Sequence, residues 1–451
     1  MSVRVLIPSG VLGLGFDSEA LQRGLDLRPD IICIDGGSTD SGPFYLGTGT
    51  SKYARAASRS EWRELMLARA QANIPLVIGS CGTCGTDDTV DWMFEITKEL
   101  ANELGQTLKI ATLYSSQSPD TIAKAFTADE ITPLAPAPAL DLERIAQCSN
   151  IVALAGAEQI TAALETGADI VLAGRTTDTA IISALPLANG VDAGIAWHGA
   201  KIGECGALCS THPTSGVIVI DFDKDSFTVQ PLADDAVCTP HSVSAHMLYE
   251  NSDPFILYEP GGYLDVTDAI YSSTGDTSVT VSGSRWVPSN RYTVKLEGAT
   301  LAGYQSTILA VLRDAHYVQN AQQWVDRLHP FLVKEIQHRM ALDTADFDLE
   351  FRLIGQNSVL GVHESKVGMP TEIGVLGIIT AKSAEISEEI GKLINPFVLH
   401  YPLTDNEELP TFAFPYSPAQ SERGALYEFS LNHTLELHDP MQAFRLSLHN
   451  V

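Results

Sequence analysis

The chain has 451 residues, 45% hydrophobic and 19% charged, the balance expected of a soluble globular protein long enough for two or three domains. With 56 acidic against 28 basic residues the formal net charge is −28, a field that repels nucleic acid and anionic lipid, so neither is expected as a partner. No apolar run approaches the roughly 20 residues of a membrane helix, and "MSVRVLIPSG" enters a strand without the segments of a signal peptide, which predicts no membrane association and a cytoplasmic location.

In chain order, "VRVLIPSG" predicts a strand, "DSEALQRGLDL" a helix and "DIICIDGGSTDSG" a second strand with a polar loop. An amphipathic helix, "SEWRELMLARAQAN", follows, then the strand "PLVIGSCGT", the helix "TVDWMFEITKELANELG", the strand "LKIATLYSS" and the helix "SPDTIAKAF". The segment "NIVALAGAEQITAALETGADIVLAGRTTDTA" adds a strand, a helix and a strand. Short β-rich runs joined by helices predict an α/β fold, with a Rossmann-like parallel sheet covered by helices on both faces.

From about residue 200 the pattern changes: "HPTSGVIVIDFDKDSFTVQPL" and "TSVTVSGSRWVPSNRYTVKLEGA" alternate with period two, as antiparallel strands do. "AQQWVDRLHPFLVKEIQHRM" predicts a helix kinked or restarted at Pro330. "FDLEFRLIG", "TEIGVLGIITA", the helical "SAEISEEIGKLI" and strands near "PTFAF" and "LYEFSLNH" complete a smaller α+β domain. The expected division is 1–285 for the α/β domain and 286–451 for the α+β domain.

Five strands of the first half end in the same kind of loop: "PSGVLGLGFD", "DGGSTDSG", "GSCGTCGTDD", "YSSQSPD" and "AGRTTDTA". In open α/β sheets ligands bind beyond the carboxyl ends of the strands, where small residues let backbone approach and free N–H groups attract anions. Gly13, Gly15, Gly36, Gly37, Ser38, Thr39, Asp40, Ser80, Gly82, Thr83, Asp88, Arg175 and Thr176 form the expected substrate-binding set. Asp35, Asp87 and Asp178 are the candidate acid/base residues, because each follows a strand where a carboxylate can reach a substrate proton or hydroxyl. Several of these aspartates also read as helix N-caps, Asp88 before "TVDWMFEI" most of all. Arg175, directly after "IVLAG", either pairs bidentately with a substrate carboxylate or phosphate, or forms an ion pair with a crevice aspartate.

Cys81 and Cys84 form a C-x-x-C pair, but zinc sites usually need four ligands, and Cys205 and Cys209 in "GECGALCS" lack the context of a zinc ribbon. Asp87 and Asp88 nearby would raise a thiol pKa rather than activate it, so buried, weakly polar fillers are the favoured reading. Seven scattered cysteines are no disulfide framework. The histidines form no H-E-x-x-H pattern, and "GVLGLG" is not a dinucleotide fingerprint; a P-loop and a G-x-S-x-G elbow are absent too. No cofactor and no metal ligand set is expected, although a divalent cation held by the loop carboxylates is compatible with them.

The ordered strings "GFDSEAL", "DGGSTDSGPFYLGTG", "GSCGTCGTDDTVDW", "AGRTTDTA", "EPGGYLD" and "KLEGATLAGY" resemble the acyclic terpene utilisation (AtuA) family. "DLEFRLIGQNSVLG", "FAFPYSPAQSERGALYEFSLNH" and "HDPMQAFRLSL" extend the resemblance along nearly the whole chain. Cys81 and Cys84 depart from it, since the family has mainly Ala there. The resemblance implies a place in the breakdown of branched acyclic terpenoids and related acids. Some members carry a further ferredoxin-like domain, which implies for this chain a separate small subunit acting in trans.

A crevice of amide donors and carboxylates without a redox fingerprint then favours a hydro-lyase or isomerase acting on a small carboxylic acid or acyl-CoA. In that reading Asp35 or Asp87 is the acid/base, Arg175 holds the carboxylate, and the amides of Gly36, Gly37, Gly82 and Thr83 stabilise an oxyanion. The alternatives are a non-catalytic, partner-dependent subunit or ligand-sensing scaffold and, third, a metal-dependent carbon–oxygen lyase. A homo-oligomer is expected.

Overall fold

The computed structural model describes residues 2–365, 368 and 370–451. It divides the chain into two units, Met1–Thr300 with Phe429–Val451, and Leu301–Glu428. The division expected at residue 285 therefore falls later, and the chain returns to the first unit at its end. The reason is two long strands, Tyr292–Leu312 and Gln420–Leu437, that begin in one unit and finish in the other.

The first seven strands are Val3–Ile7 (β1), Ile31–Asp35 (β2), Leu76–Gly79 (β3), Lys109–Tyr114 (β4), Ile131–Pro133 (β5), Cys148–Ala153 (β6) and Ile170–Ala173 (β7). Five of them form a parallel ribbon in the order β1-β2-β3-β7-β4. All five strands whose loops drew attention in the sequence are therefore neighbours, and their carboxyl ends lie along one edge. Side chains alternate between faces along each strand. Val5, Ile7, Ile31, Cys33, Val77 and Val171 join one apolar cluster, while Leu6, Ile32, Ile34, Ile78 and Leu172 join another. The first cluster is closed by helices Ala157–Glu165, Ala180–Ala188 and Ala193–Gly203, through Ile160, Ile181, Ile195 and Trp197. Helices Ser18–Asp26, Arg55–Ala72 and Asp87–Leu104 close the second with Leu21, Trp62, Met66, Met93 and Leu100. The α/β fold with helices on both faces is thus present.

Strand β6, expected to continue the parallel sheet, instead pairs antiparallel with Leu296–Thr300. The parallel ribbon is extended by antiparallel strands: Ile218–Phe222 (β8) on β1, then Ser226–Pro231 (β9), with two further strands beyond. Next along the chain are Ile256–Glu259 (β10), Gly262–Asp265 (β11), Ile270–Thr274 (β12), Ser278–Ser282 (β13), Arg285–Pro288 (β14) and Tyr292–Leu312 (β15). Strands β12 and β13 end the large sheet, whereas β10, β11 and β14 make a small antiparallel sheet of their own.

The second unit contains Phe347–Ile354 (β16) and Ile373–Ala381 (β17), antiparallel to each other, with β17 also antiparallel to Tyr304–Leu312 of β15. Helices Ala321–Met340 and Ala384–His400 supply Trp324, Leu328, Leu332, Ile390 and Ile394 to its core. Of the kink or restart expected at Pro330, the restart does not occur: the helix 321–340 is continuous through it. Four buried residues around the proline, Trp324, Leu328, Leu332 and Ile336, hold one face against the core and outweigh the single hydrogen bond lost. The segment near "PTFAF" contributes one bridge, Ala413 to Val311, rather than a strand. Gln420–Leu437 (β18) pairs with β5 through His433–Leu435, and Arg445–Asn450 (β19) closes the large sheet beside β4.

Candidate active site

The β2 loop is dictated by close approach. A side chain at Gly36 would place its Cβ 2.2 Å from the Ser80 carbonyl oxygen, so only glycine lets the β2 and β3 loops touch. Asp35, the last residue of β2, is 4% exposed. Its Oδ2 accepts the Gly37 N–H at 2.7 Å, and its Oδ1 has no hydrogen-bond partner. Burial raises the Asp35 pKa well above the ordinary carboxylate value, and the negative charge of Asp178 adds to this against Arg175. In the β3 loop Ser80 and Thr83 sit at φ +46° and +82°, in the left-handed region that a β-branched residue avoids. Such strain amounts to roughly 1–3 kcal/mol per residue and persists only where surroundings enforce it. Thr83 is held by its N–H on the Ser80 carbonyl at 2.8 Å and its hydroxyl on the Gly36 carbonyl at 3.0 Å.

Arg175 crosses the ends of these loops at 5% exposure. Its Nε donates to Glu297 Oε2 at 3.1 Å and its Nη1 to Ser80 Oγ at 3.0 Å, with Asp178 Oδ1 3.8 Å away. Arg175 is ion-paired, but its principal partner is Glu297 of β15 rather than the crevice aspartate of the expected alternative. Thr39 Oγ1 donates to the same Glu297 oxygen at 3.0 Å, and Lys295 Nζ lies 2.9 Å from its other oxygen. Burial acts to raise the Glu297 pKa, but Arg175 and Lys295 outweigh it and hold it at about 2. Asp178 is raised, chiefly by burial and against Arg175. Thr176 Oγ1 completes the group, 3.4 Å from Ser80 Oγ.

The remaining candidates are engaged elsewhere. The N–H groups of Gly13 and Gly15 donate to the Glu61 carboxylate at 2.7 and 3.0 Å, so a carboxylate of the chain occupies that anion-binding turn. Gly36, Gly37 and Thr83 spend their N–H groups on Gly79, Asp35 and Ser80. Gly82 is packed on Thr89, 2.8 Å from where its Cβ would stand. Ser38 caps a short turn by accepting the Asp40 N–H at 3.2 Å, and Asp40 is exposed. Asp87 accepts the Ser116 N–H at 3.1 Å and pairs with Arg445. The cap of helix Asp87–Leu104 is Thr86, so Asp88 lies in the first turn, where its charge favours the helix dipole without capping it. Cys81 and Cys84 are fully buried free thiols, and burial raises the Cys81 pKa further.

Sequence reasoning assigned no role to Lys295, Glu297, Glu259, Lys201 or Glu204. The signal was available, since Lys295 and Glu297 lie in "KLEGATLAGY" and Glu259 in "EPGGYLD". Glu259 Oε1 accepts from Thr179 Oγ1, while its Oε2 is buried without a partner, and burial pushes its pKa up to about 7. A cavity of about 460 Å³ opens beside it, lined by Leu134, Leu154, Tyr258, Pro260 and Tyr263, with Glu259 and Lys295 as its charged groups. Lys295 also lines a second cavity of about 260 Å³, with Thr39, Asp40 and Glu297.

No curated protein and no solved structure matches the chain. A family model described as acyclic terpene utilisation family protein AtuA matches residues 48–189 and 217–402, which hold β3, the Arg175 loop, Glu259 and Glu297. The chain belongs to the AtuA family, and through it is associated with acyclic terpene utilisation.

Proposed function

We propose that the chain is a catabolic enzyme acting on a branched carboxylic acid or its CoA ester by hydration, dehydration or isomerisation, with Asp35 as the acid/base. The observation that carries this reading is the half-satisfied Asp35 carboxyl: one oxygen fixed by the Gly37 amide, the other buried and unpartnered. A carboxyl held in one orientation, with its pKa raised by burial, is a stronger base than a solvated carboxylate and is suited to accept a proton and return it. The cavity beside Glu259 has the apolar lining a branched chain requires, and Lys295 is the cation with access to it. Arg175, bound to Glu297, holds the β3 loop through Ser80. In dehydration Asp35 would take the proton from the carbon beside the carbonyl and return it to the departing hydroxyl, which leaves as water; in isomerisation it would return that proton further along the chain.

The test follows proton exchange. Purified protein is incubated alone in deuterated water with branched acids and their thioesters, and substrate loss and deuterium uptake are recorded. Turnover by the wild type, reduced about 10²–10⁴-fold in Asp35→Asn, is the expected result. Equal turnover by both proteins would remove Asp35 from the mechanism, and no turnover without a second chain would favour a partner-dependent subunit.

A further inference from the structure

Glu204 and Cys205 follow helix Ala193–Gly203, and His246 opens the short turn His246–Leu248, so two distant segments bring an oxygen, a sulfur and a nitrogen ligand type together. One ligand atom from each lies within 4.8 Å of the others. Tetrahedral zinc, with bonds of about 2.0–2.3 Å, needs such atoms roughly 3.3–3.8 Å apart, a contraction within the reach of side-chain rotation. His246 is 4% exposed, and its Nε2 is buried without a hydrogen-bond partner. A buried ring nitrogen left unmatched is unfavourable unless something fills the place beside it. Glu204 is 7% exposed; Lys201 Nζ contacts its Oε1 and donates to the Tyr249 carbonyl at 2.8 Å, so one carboxylate oxygen is oriented and the second is left.

We propose that Glu204, Cys205 and His246 bind one divalent transition-metal ion of the zinc class. A mixed thiolate, imidazole and carboxylate set favours zinc or cobalt over magnesium or calcium, which take oxygen ligands. Three protein ligands leave a fourth position for water or substrate, the arrangement of catalytic rather than structural zinc. Metal binding would displace the thiol proton to solvent; no bond is oxidised or reduced. The site stands on its own residues and does not depend on the reaction proposed for Asp35.

The experiment uses the full chain, stripped with chelator and titrated with Co²⁺ and then Zn²⁺. One cobalt per chain is expected, with a thiolate-to-cobalt charge-transfer band that zinc abolishes. Cys205→Ser should lose the band, and His246→Ala should weaken binding by about tenfold or more. His241→Ala, an exposed neighbour, should do neither. Circular dichroism checks that the variants fold; if Cys205→Ser does not, Glu204→Gln and the wild-type spectrum carry the decision. Wild-type protein that takes up no stoichiometric metal, or binds cobalt without a thiolate band, overturns the proposal. So does unchanged affinity in both the Cys205 and His246 variants.

Discussion

The two units bury very different materials. The core of residues 301–428 is made of side chains such as Ile308, Trp324, Leu332, Val375 and Ile390, and among its described residues the buried polar side chains are Ser306 and Ser387. Its charges sit in exposed pairs such as Arg313–Glu372 and Lys382–Asp346. The first unit instead buries Asp35, Arg175, Lys201, Glu204, Glu259 and Glu297 at or near the strand ends. Removing an ion from water costs several kcal/mol even after relaxation, and apolar replacements of the same shape are often at least as stable. Stability alone therefore gives no reason for such a cluster, while the second unit holds a comparable helix-and-sheet arrangement without one. The difference is the one expected if, as proposed, the buried charge serves chemistry rather than folding.

The sharpest way to break that contrast is to remove one partner of the central pair. Glu297→Leu leaves Arg175 buried beside Ser80 and Thr39 with Asp178 at 3.8 Å as its remaining carboxylate contact. A loss of about 3–5 kcal/mol is expected in urea unfolding. The double variant Arg175→Met/Glu297→Leu should recover most of it, because the uncompensated charge is gone. A single-variant loss under about 1 kcal/mol would mean that Arg175 is effectively solvated, and the two cores would not differ in kind.

A smaller effect, with a defined sign, comes from pH. Glu259 is raised from 4.5 to about 7 and Glu204 from 4.5 to about 8, each chiefly by burial. Between those values the native state keeps protons that the unfolded chain releases, so stability falls as pH rises from about 5 to 8. Glu297 has the opposite sign: lowered to about 2, it contributes stability above pH 4.5 that is lost as pH falls toward 2. Glu259→Gln should flatten the neutral-range decline and stabilise the protein at pH 8 by up to about 3 kcal/mol. Urea midpoints measured at several pH values check this, and parallel curves for wild type and variant would show that Glu259 titrates normally.

Much of the parallel ribbon was legible because each strand is bounded by its own helix and turn residues, from "VRVLI" to "DIVLA". Strand β6 was misjudged as a ribbon member because "NIVALA" has the same apolar composition whether it pairs parallel inside a sheet or antiparallel with β15. Local pattern carries no partner identity. The same limit hid Glu297 and Glu259, whose partners lie 122 and 80 residues away in the chain, at Arg175 and Thr179 respectively. Asp35 and Arg175 were visible because one ends β2 and the other follows β7 closely, where the sheet topology dictates position. Asp87 shared that sequence context, yet its helix begins there, and Ser116 with Arg445 takes up its carboxylate.

The weakest expected effect lies on the surface of the second unit. Lys392 bridges Glu388 at 3.0 Å and Glu389 at 2.8 Å on helix Ala384–His400, with both carboxylates more than half exposed. Solvent screening and the entropy of long side chains reduce such pairs to roughly 0–1 kcal/mol, and helical neighbours to about 0.3–0.5. Lys392→Met should therefore leave the urea midpoint almost unchanged, and high salt should erase any shift. A salt-insensitive loss of several kcal/mol would place a strongly coupled charge in the unit that otherwise buries none, and the division of labour drawn from the two cores would fail there.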